Sequence, residues 1–226
     1  MISFIFAGTE TTHYSAQIVT SILTQKPEIL AKVRKEYTEA VYEPAVQEDA
    51  SLSSLPLREL LFKTVDLISV SELEYGATVI QEAMRICPAA PGSHFYEATK
   101  DLTLGKYPIQ KGDILMINFM ALGHSPDEWQ RPMEILPERF NPKDPLFLRP
   151  DGKRRSTYAM APFHGGSRVC FGKTLAEAEL KIFLTFMSQN FDFEFENKEY
   201  MTEIPLACAG MSSHPPVWMN LTKRKK

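Results

Sequence analysis

Cysteine is scarce in this chain, and that scarcity excludes two common ways of holding a small fold together. Cys87, Cys170 and Cys208 are the only three in 226 residues. They are too few for a disulfide framework and too far apart for zinc-ligand spacing. Long apolar runs are lacking too, so no stretch reads as a membrane-crossing helix. The first residues, Met1-Ile2-Ser3-Phe4-Ile5-Phe6-Ala7, are apolar but lack the basic start and the length of a signal peptide. Positive charge is not in excess: 25 Lys and Arg against 28 Asp and Glu leave a net charge of −3. The whole molecule therefore gives no reason to expect nucleic acid as a partner. No internal repeat is visible. What remains is 44% hydrophobic and 23% charged, ordinary for a globular chain, with room for one large domain or two small ones. The basic end, Lys223-Arg224-Lys225-Lys226, reads as a solvated, frayed terminus.

Against that plain background one stretch stands out, Phe163-His164-Gly165-Gly166-Ser167-Arg168-Val169-Cys170-Phe171-Gly172. It reads as a glycine-rich loop that presents a single thiol. Gly165 and Gly166 permit backbone angles and close approaches that a side chain would forbid. Arg168 sets a permanent positive charge two residues from the sulfur, which favours the thiolate, the form that binds metal. A long apolar helical run, Leu175 to Met187, follows Gly172, so a helix N-terminus opens just beyond the cysteine. The plain alternative for a lone cysteine is burial in a tight turn.

Residues 2–23 carry Ser15, Ile18, Val19, Ile22 and Leu23 at helical spacing. Their first half holds Ala7-Gly8-Thr9-Glu10-Thr11-Thr12, an odd helix interior. Glycine costs stability there, and threonines bond back to carbonyls one turn earlier. Such a segment marks either a functional site or a polar patch in a helix. Pro27 opens a second helix with a face of Leu30, Val33, Tyr37 and Val41. Glu43 to Ser54, acidic and small, reads as loop, and Leu57 to Leu67 as a short extra helix. Ser71-x-x-Glu74 reads as a capping box for the next helix, which carries Glu82 and Arg85 at i, i+3 and stops at Cys87-Pro88. Residues 95–120 read as short strands broken at Gly105 and Gly112. Phe191 to Glu196 alternates strictly and reads as a strand. Val217, Met219 and Leu221 alternate likewise, and the two could pair as a hairpin. Lys153-Arg154-Arg155 reads as a solvated basic loop, with docking of an acidic partner as the functional alternative.

The spacing Phe163, Gly166, Arg168, Cys170, Gly172, continued by Ala176 and Glu179, resembles the haem-ligating loop of the cytochrome P-450 family. Ala7-Gly8-Thr9-Glu10-Thr11 resembles the family's helix over the oxygen-binding face of the haem. Glu82-x-x-Arg85 and Pro137-Glu138-Arg139-Phe140 resemble its two remaining signatures. The resemblance runs along the whole chain in the family's order and covers only the C-terminal part of a family member.

What the resemblance implies is as follows. The fold would be mainly α with small β regions, residues 1–226 forming a single truncated domain. Haem b would bind through Cys170, cradled by Phe163, Gly166, Arg168 and Gly172. Glu10 and Thr11 would manage proton delivery. Glu82, Arg85 and Arg139 would form a structural cluster. The activity would be insertion of one oxygen atom from O2 into a small apolar substrate. Electrons would come from NADPH indirectly, through a reductase. Membrane contact would lie in an N-terminal region absent here, at the endoplasmic reticulum for a full-length eukaryotic member. The alternative is a non-catalytic remnant or gene fragment unable to bind haem alone. One position departs from the pattern: near Tyr96 the family carries an arginine for a haem propionate, and this chain has none. His94 and Tyr96 stand in that region, and Arg168 is the best remaining propionate partner.

Overall fold

The structure, a computed structural model, describes residues 2–201 and 218–224. Four helices build its main core. Helix α1, Ile2–Gln25, packs on α5, Glu74–Ile86, on α7, Lys173–Asn190, and on α2, Pro27–Tyr37. Ile18, Val19, Ile22 and Leu23 of α1 meet Leu30 and Val33 of α2, Val79, Ile80 and Ala83 of α5, and Leu180 and Leu184 of α7. Burying each such large aliphatic side chain is worth roughly 1.5–3 kcal/mol, and this shared core fixes how the four helices cross.

Helix α2 has Pro27 in its first turn and buries the expected Leu30, Val33 and Tyr37. It does not give way to a loop at Glu43. A π-helical turn, Thr38–Tyr42, carries the rod into α3, Glu43–Glu48, and a 3-10 turn follows at Ala50–Ser54. The loop expectation for 43–54 is therefore overturned. Helical backbone angles persist from Tyr37 through Glu43, and Pro44, which has no N–H to donate, follows directly on the π turn in the first turn of α3. Asp49 then caps the 3-10 turn by accepting from Ser51 N. Helix α4, Leu57–Thr64, closes a second core of Tyr37, Val41, Leu61, Val70 and Leu73.

The β structure is small and antiparallel. Strands β1, Tyr96–Glu97, and β4, Ile114–Leu115, pair around the hairpin of β2, Leu102–Leu104, and β3, Tyr107–Ile109. Gly105 and Gly112 make the turns at φ 61° and 93°, angles that a side chain resists. Helix α6, Phe119–His124, follows, capped by Asn118, whose side chain accepts from Ala121 N at 2.9 Å. Strand β5, Phe191–Phe195, pairs with β6, Met219–Lys223, in register Phe193↔Leu221. Lys223 and Arg224 are consequently part of the fold: Lys223 pairs with Phe191 and the Arg224 N–H donates to Asn190 O at 2.8 Å. The Pro/Gly/Ser-rich stretch from Pro205 to Pro216, which the cytochrome P-450 resemblance implies is a loop reaching the substrate pocket, lies outside the described residues, as does Val217.

Candidate thiolate site and its scaffold

The glycine-rich loop is closed by its own backbone. The Cys170 N–H donates to Phe163 O at 2.8 Å, and His164 N–H to Ala161 O at 3.0 Å. Between them Gly166–Arg168 form a 3-10 turn, with His164 and Gly166 at φ 61° and 62°. Gly165 leaves room for the Tyr158 ring: a Cβ there would lie 2.8 Å from it. Cys170 is exposed, and its sulfur lies against Gly172, the residue that opens α7. The thiol thus sits at the N-terminal end of an 18-residue helix, where the dipole favours negative charge. Arg168 and Phe171 are exposed on the same loop.

The first half of α1 stands clear of the core. Phe4, Ile5 and Phe6 are 46%, 62% and 64% exposed, whereas from Tyr14 onward the helix is anchored. This free half meets the cysteine loop where Phe4 and Phe171 pack edge to face, centroids 5.9 Å apart. Glu10 lies on it beside an open groove of about 330 Å³ that it lines with Ile5, Phe6 and Thr9. The Thr11 hydroxyl donates to Ala7 O at 2.7 Å, and Thr9 to Ile5 O at 2.7 Å, the back-bonding expected of threonines inside a helix.

A buried charge cluster joins α5 to the segment around Arg139. Glu82, Arg85 and Arg139 are 0%, 1% and 0% exposed. Arg85 Nε and Nη2 donate to the two oxygens of Glu82 at 2.7 and 2.9 Å. Arg139 Nε adds a bond to Glu82 Oε1 at 3.0 Å, and Leu136 N–H another at 2.8 Å. One carboxylate thus faces two guanidiniums, and main-chain carbonyls satisfy what it leaves over. Arg85 reaches Gly123 O and Pro132 O at 2.6 and 2.7 Å, and Arg139 reaches Gln130 O and Arg131 O. Burial, only partly offset by Glu82, lowers the Arg139 guanidinium below its ordinary value. Gly123 makes the Arg85 end possible, because a Cβ there would lie 2.3 Å from Arg85 O.

Arg155 belongs with this cluster, which corrects its reading as part of a solvated basic loop. Its guanidinium stacks 4.3 Å from the Trp129 ring centroid, donates to Leu146 O at 2.7 Å and also donates to Arg139 O. Burial first, then the Arg139 charge, brings it down to about 10. Only Lys153 and Arg154 of the run face solvent.

A second correction concerns the start of α5. Ser71 does not cap it; Ser71 lies in a separate 3-10 turn, and no side chain of the N-cap residue Leu73 caps the helix. The cap comes from α2 instead. Glu36 accepts from Tyr75 N–H and from Gly76 N–H, the latter at 2.8 Å. Burial lifts the Glu36 carboxyl above its ordinary value, while those two N–H groups pull it back.

Two more pairings escaped the sequence. His94 stacks on His164, centroids 5.3 Å apart, and Phe119 meets His164 edge-on at 4.8 Å. Burial, then the neighbouring His94, lowers the His164 imidazole. Cys87 is disulfide-bonded, and its sulfur accepts from the Tyr14 hydroxyl in the core.

The family model described as Cytochrome P-450 matches residues 1–217. The chain belongs to the cytochrome P-450 family. It is 34% identical to cytochrome P-450 3A11 of Mus musculus over 91% of this chain and 35% of that protein. It is 28% identical to cytochrome P-450 81F2 of Arabidopsis thaliana over 91% of this chain and 36% of that one. A steroid 17-alpha-hydroxylase/17,20 lyase of Mesocricetus auratus is 30% identical over 85% of this chain and 33% of its own length. The chain thus spans about a third of the length of these cytochrome P-450 relatives. The mainly α fold with small β regions is that of the family.

Proposed function

We propose that this chain carries the thiolate side of a haem-thiolate monooxygenase, which inserts one oxygen atom from O2 into an apolar organic substrate. The observation that carries the reading is the placement of Cys170: an exposed thiol at a helix N-terminus, on a closed glycine loop whose Phe171 meets the free half of α1. The surroundings suit a flat, apolar, carboxylate-bearing iron group. Phe4, Phe171 and Val169 offer exposed apolar surface, Gly165 and Gly166 leave the backbone bare, and Arg168 offers a cation.

In this reading Cys170 is the thiolate ligand, and Arg168 pairs with a propionate. Phe163 and Gly166 hold the loop's shape, and Gly172 keeps the helix start close to the sulfur. The haem, when bound, supplies oxygen activation. Glu10 takes up protons from solvent and passes them through water to the Thr11 hydroxyl, which has lone pairs free while its own proton is held by Ala7 O. Glu82, Arg85 and Arg139 keep the loop's scaffold fixed. Electrons come from a reductase that draws on NADPH. No helix among the described residues is long and apolar enough to cross a membrane.

A second reading, a remnant that cannot hold haem, is favoured by one observation: the free half of α1 exposes Phe4, Ile5 and Phe6 with nothing packed over most of their surface. One experiment separates the two. The chain is purified, given haem, reduced under carbon monoxide and scanned across the Soret region. The monooxygenase reading expects a strongly red-shifted band that Cys170→Ala abolishes. A folded chain that takes up no haem leaves only the remnant.

A further inference from the structure

We propose that Arg155 is a positioning residue for Cys170, clamping the segment that leads into the glycine loop onto Trp129 and the buried arginine cluster. The proposal rests on Cys170 being the ligand, and its first test does not need haem.

The clamp starts from a charge imbalance. Among the described residues Glu82 is the one carboxylate bonded to Arg85 and Arg139. Arg155 brings a third guanidinium against it and is held by dipoles and an aromatic face instead. One nitrogen donates to Leu146 O, a second to Arg139 O, and the guanidinium carbon lies over the Trp129 ring, 4.3 Å from its centroid. Trp129 is itself only 2% exposed, and the Arg85 guanidinium lies 5.3 Å from the same ring. A planar fork that bridges two carbonyls while stacking on an indole is something arginine does and lysine does not.

From Arg155 the chain runs to the cysteine through successive attachments. Ser156 N–H donates to Glu128 Oε2 at 3.0 Å. The Trp129 indole N–H reaches Ala159 O at 3.3 Å as well as Leu122 O at 3.0 Å. The Tyr158 ring fills the space left by Gly165. Phe163 O then takes the Cys170 N–H at 2.8 Å. The hydrogen bonds at Arg155, Ser156 and Ala159 thus hold the segment that leads to the carbonyl bonded to the cysteine N–H.

The experiment measures hydrogen exchange at the Cys170 and Val169 amides of the full chain without haem. It compares wild type, Arg155→Ala, Arg155→Lys and Val41→Ala. Val41 lies in the second core, away from the loop, so its variant reports the effect of lost global stability alone. Each rate is normalised to the variant's own unfolding free energy. Arg155→Ala is expected to speed exchange at Cys170 by about ten-fold or more, as for an opened local segment, and Arg155→Lys to follow it because the fork is lost. Exchange at Cys170 that matches Val41→Ala overturns the proposal. If the alanine variant does not fold, Arg155→Lys decides by the same comparison. With haem added, the red-shifted carbon monoxide band is expected to lose intensity in both Arg155 variants. A wild type that takes up no haem refutes the ligand role of Cys170, while the exchange result still judges the clamp.

Discussion

Arg139 Nε donates to Glu82 Oε1 at 3.0 Å across 57 residues of sequence. That bond ties the short 3-10 turn Pro137–Phe140 to helix α5 in a place where neither side chain meets solvent. The local partner, Arg85, is three residues from Glu82, so the long-range bond is what makes a helix pair into a scaffold.

Glu82→Gln tests it. Two buried guanidiniums would then face a neutral amide. Removing one partner of a buried ion pair costs about 3–5 kcal/mol. Urea unfolding followed by circular dichroism should show a loss in that range. A loss near that of an exposed ion pair, below about 1 kcal/mol, would mean the carbonyls alone hold both arginines.

Glu36 gives a pH dependence of opposite sign to the usual carboxylate. Burial raises it above its ordinary 4.5, Glu74 adds to the rise, and Gly76 N–H, Tyr75 N–H and Lys181 oppose it. The folded chain therefore holds more protons than the unfolded chain just above pH 4.5, and this group's contribution is lost as pH rises through the folded value. Glu36→Gln removes the titration. The stability of wild type relative to this variant should fall as pH rises from about 4.5 through the folded value. A difference that stays flat, or rises, contradicts the burial argument.

Glycines near the site should differ in tolerance. Gly123→Ala places a Cβ 2.3 Å from a backbone oxygen, Arg85 O, and should cost about 1–3 kcal/mol or more, as overpacking does. Gly165→Ala meets only the ring of Tyr158, an exposed side chain that can swing aside. Thermal unfolding of the two variants should rank Gly123→Ala as clearly the less stable. The reverse order would place the tighter constraint in the loop.

Thr11→Ala is the cleaner probe of proton delivery. The hydroxyl bonds within its own helix, and alanine is the better helix former, so stability should change by less than about 1 kcal/mol. In a haem-loaded chain the Soret band should be kept and turnover lowered. Unchanged turnover would remove Thr11 from the proposed proton route.

Much of this was legible because it is local. The loop from Phe163 to Gly172 is contiguous, and its glycines, arginine and cysteine announce themselves by spacing. Helices α1, α2, α5 and α7 carry their own periodicity, and β5 and β6 their alternation. Other features were misread because local text pointed elsewhere. The acidic stretch after Tyr42 looked like loop, yet the rod continues because a π turn keeps Val41 in the second core. Ser71-x-x-Glu74 had the form of a capping box, yet the N–H groups of Tyr75 and Gly76 were already taken by Glu36 from another helix. Arg155 stood in a run of like charges, and nothing nearby in sequence showed that Trp129 and two carbonyls would receive it.

The sequence by itself determined which thiol is presented, on what kind of loop, and which helices flank it, since turn chemistry and apolar periodicity act over a few residues. Only the tertiary structure decided which charges are buried, what satisfies them, and which side chains hold the cysteine loop in place. Those depend on backbone carbonyls and rings brought together from distant segments, and desolvation gives them their strength only once the chain has closed around them.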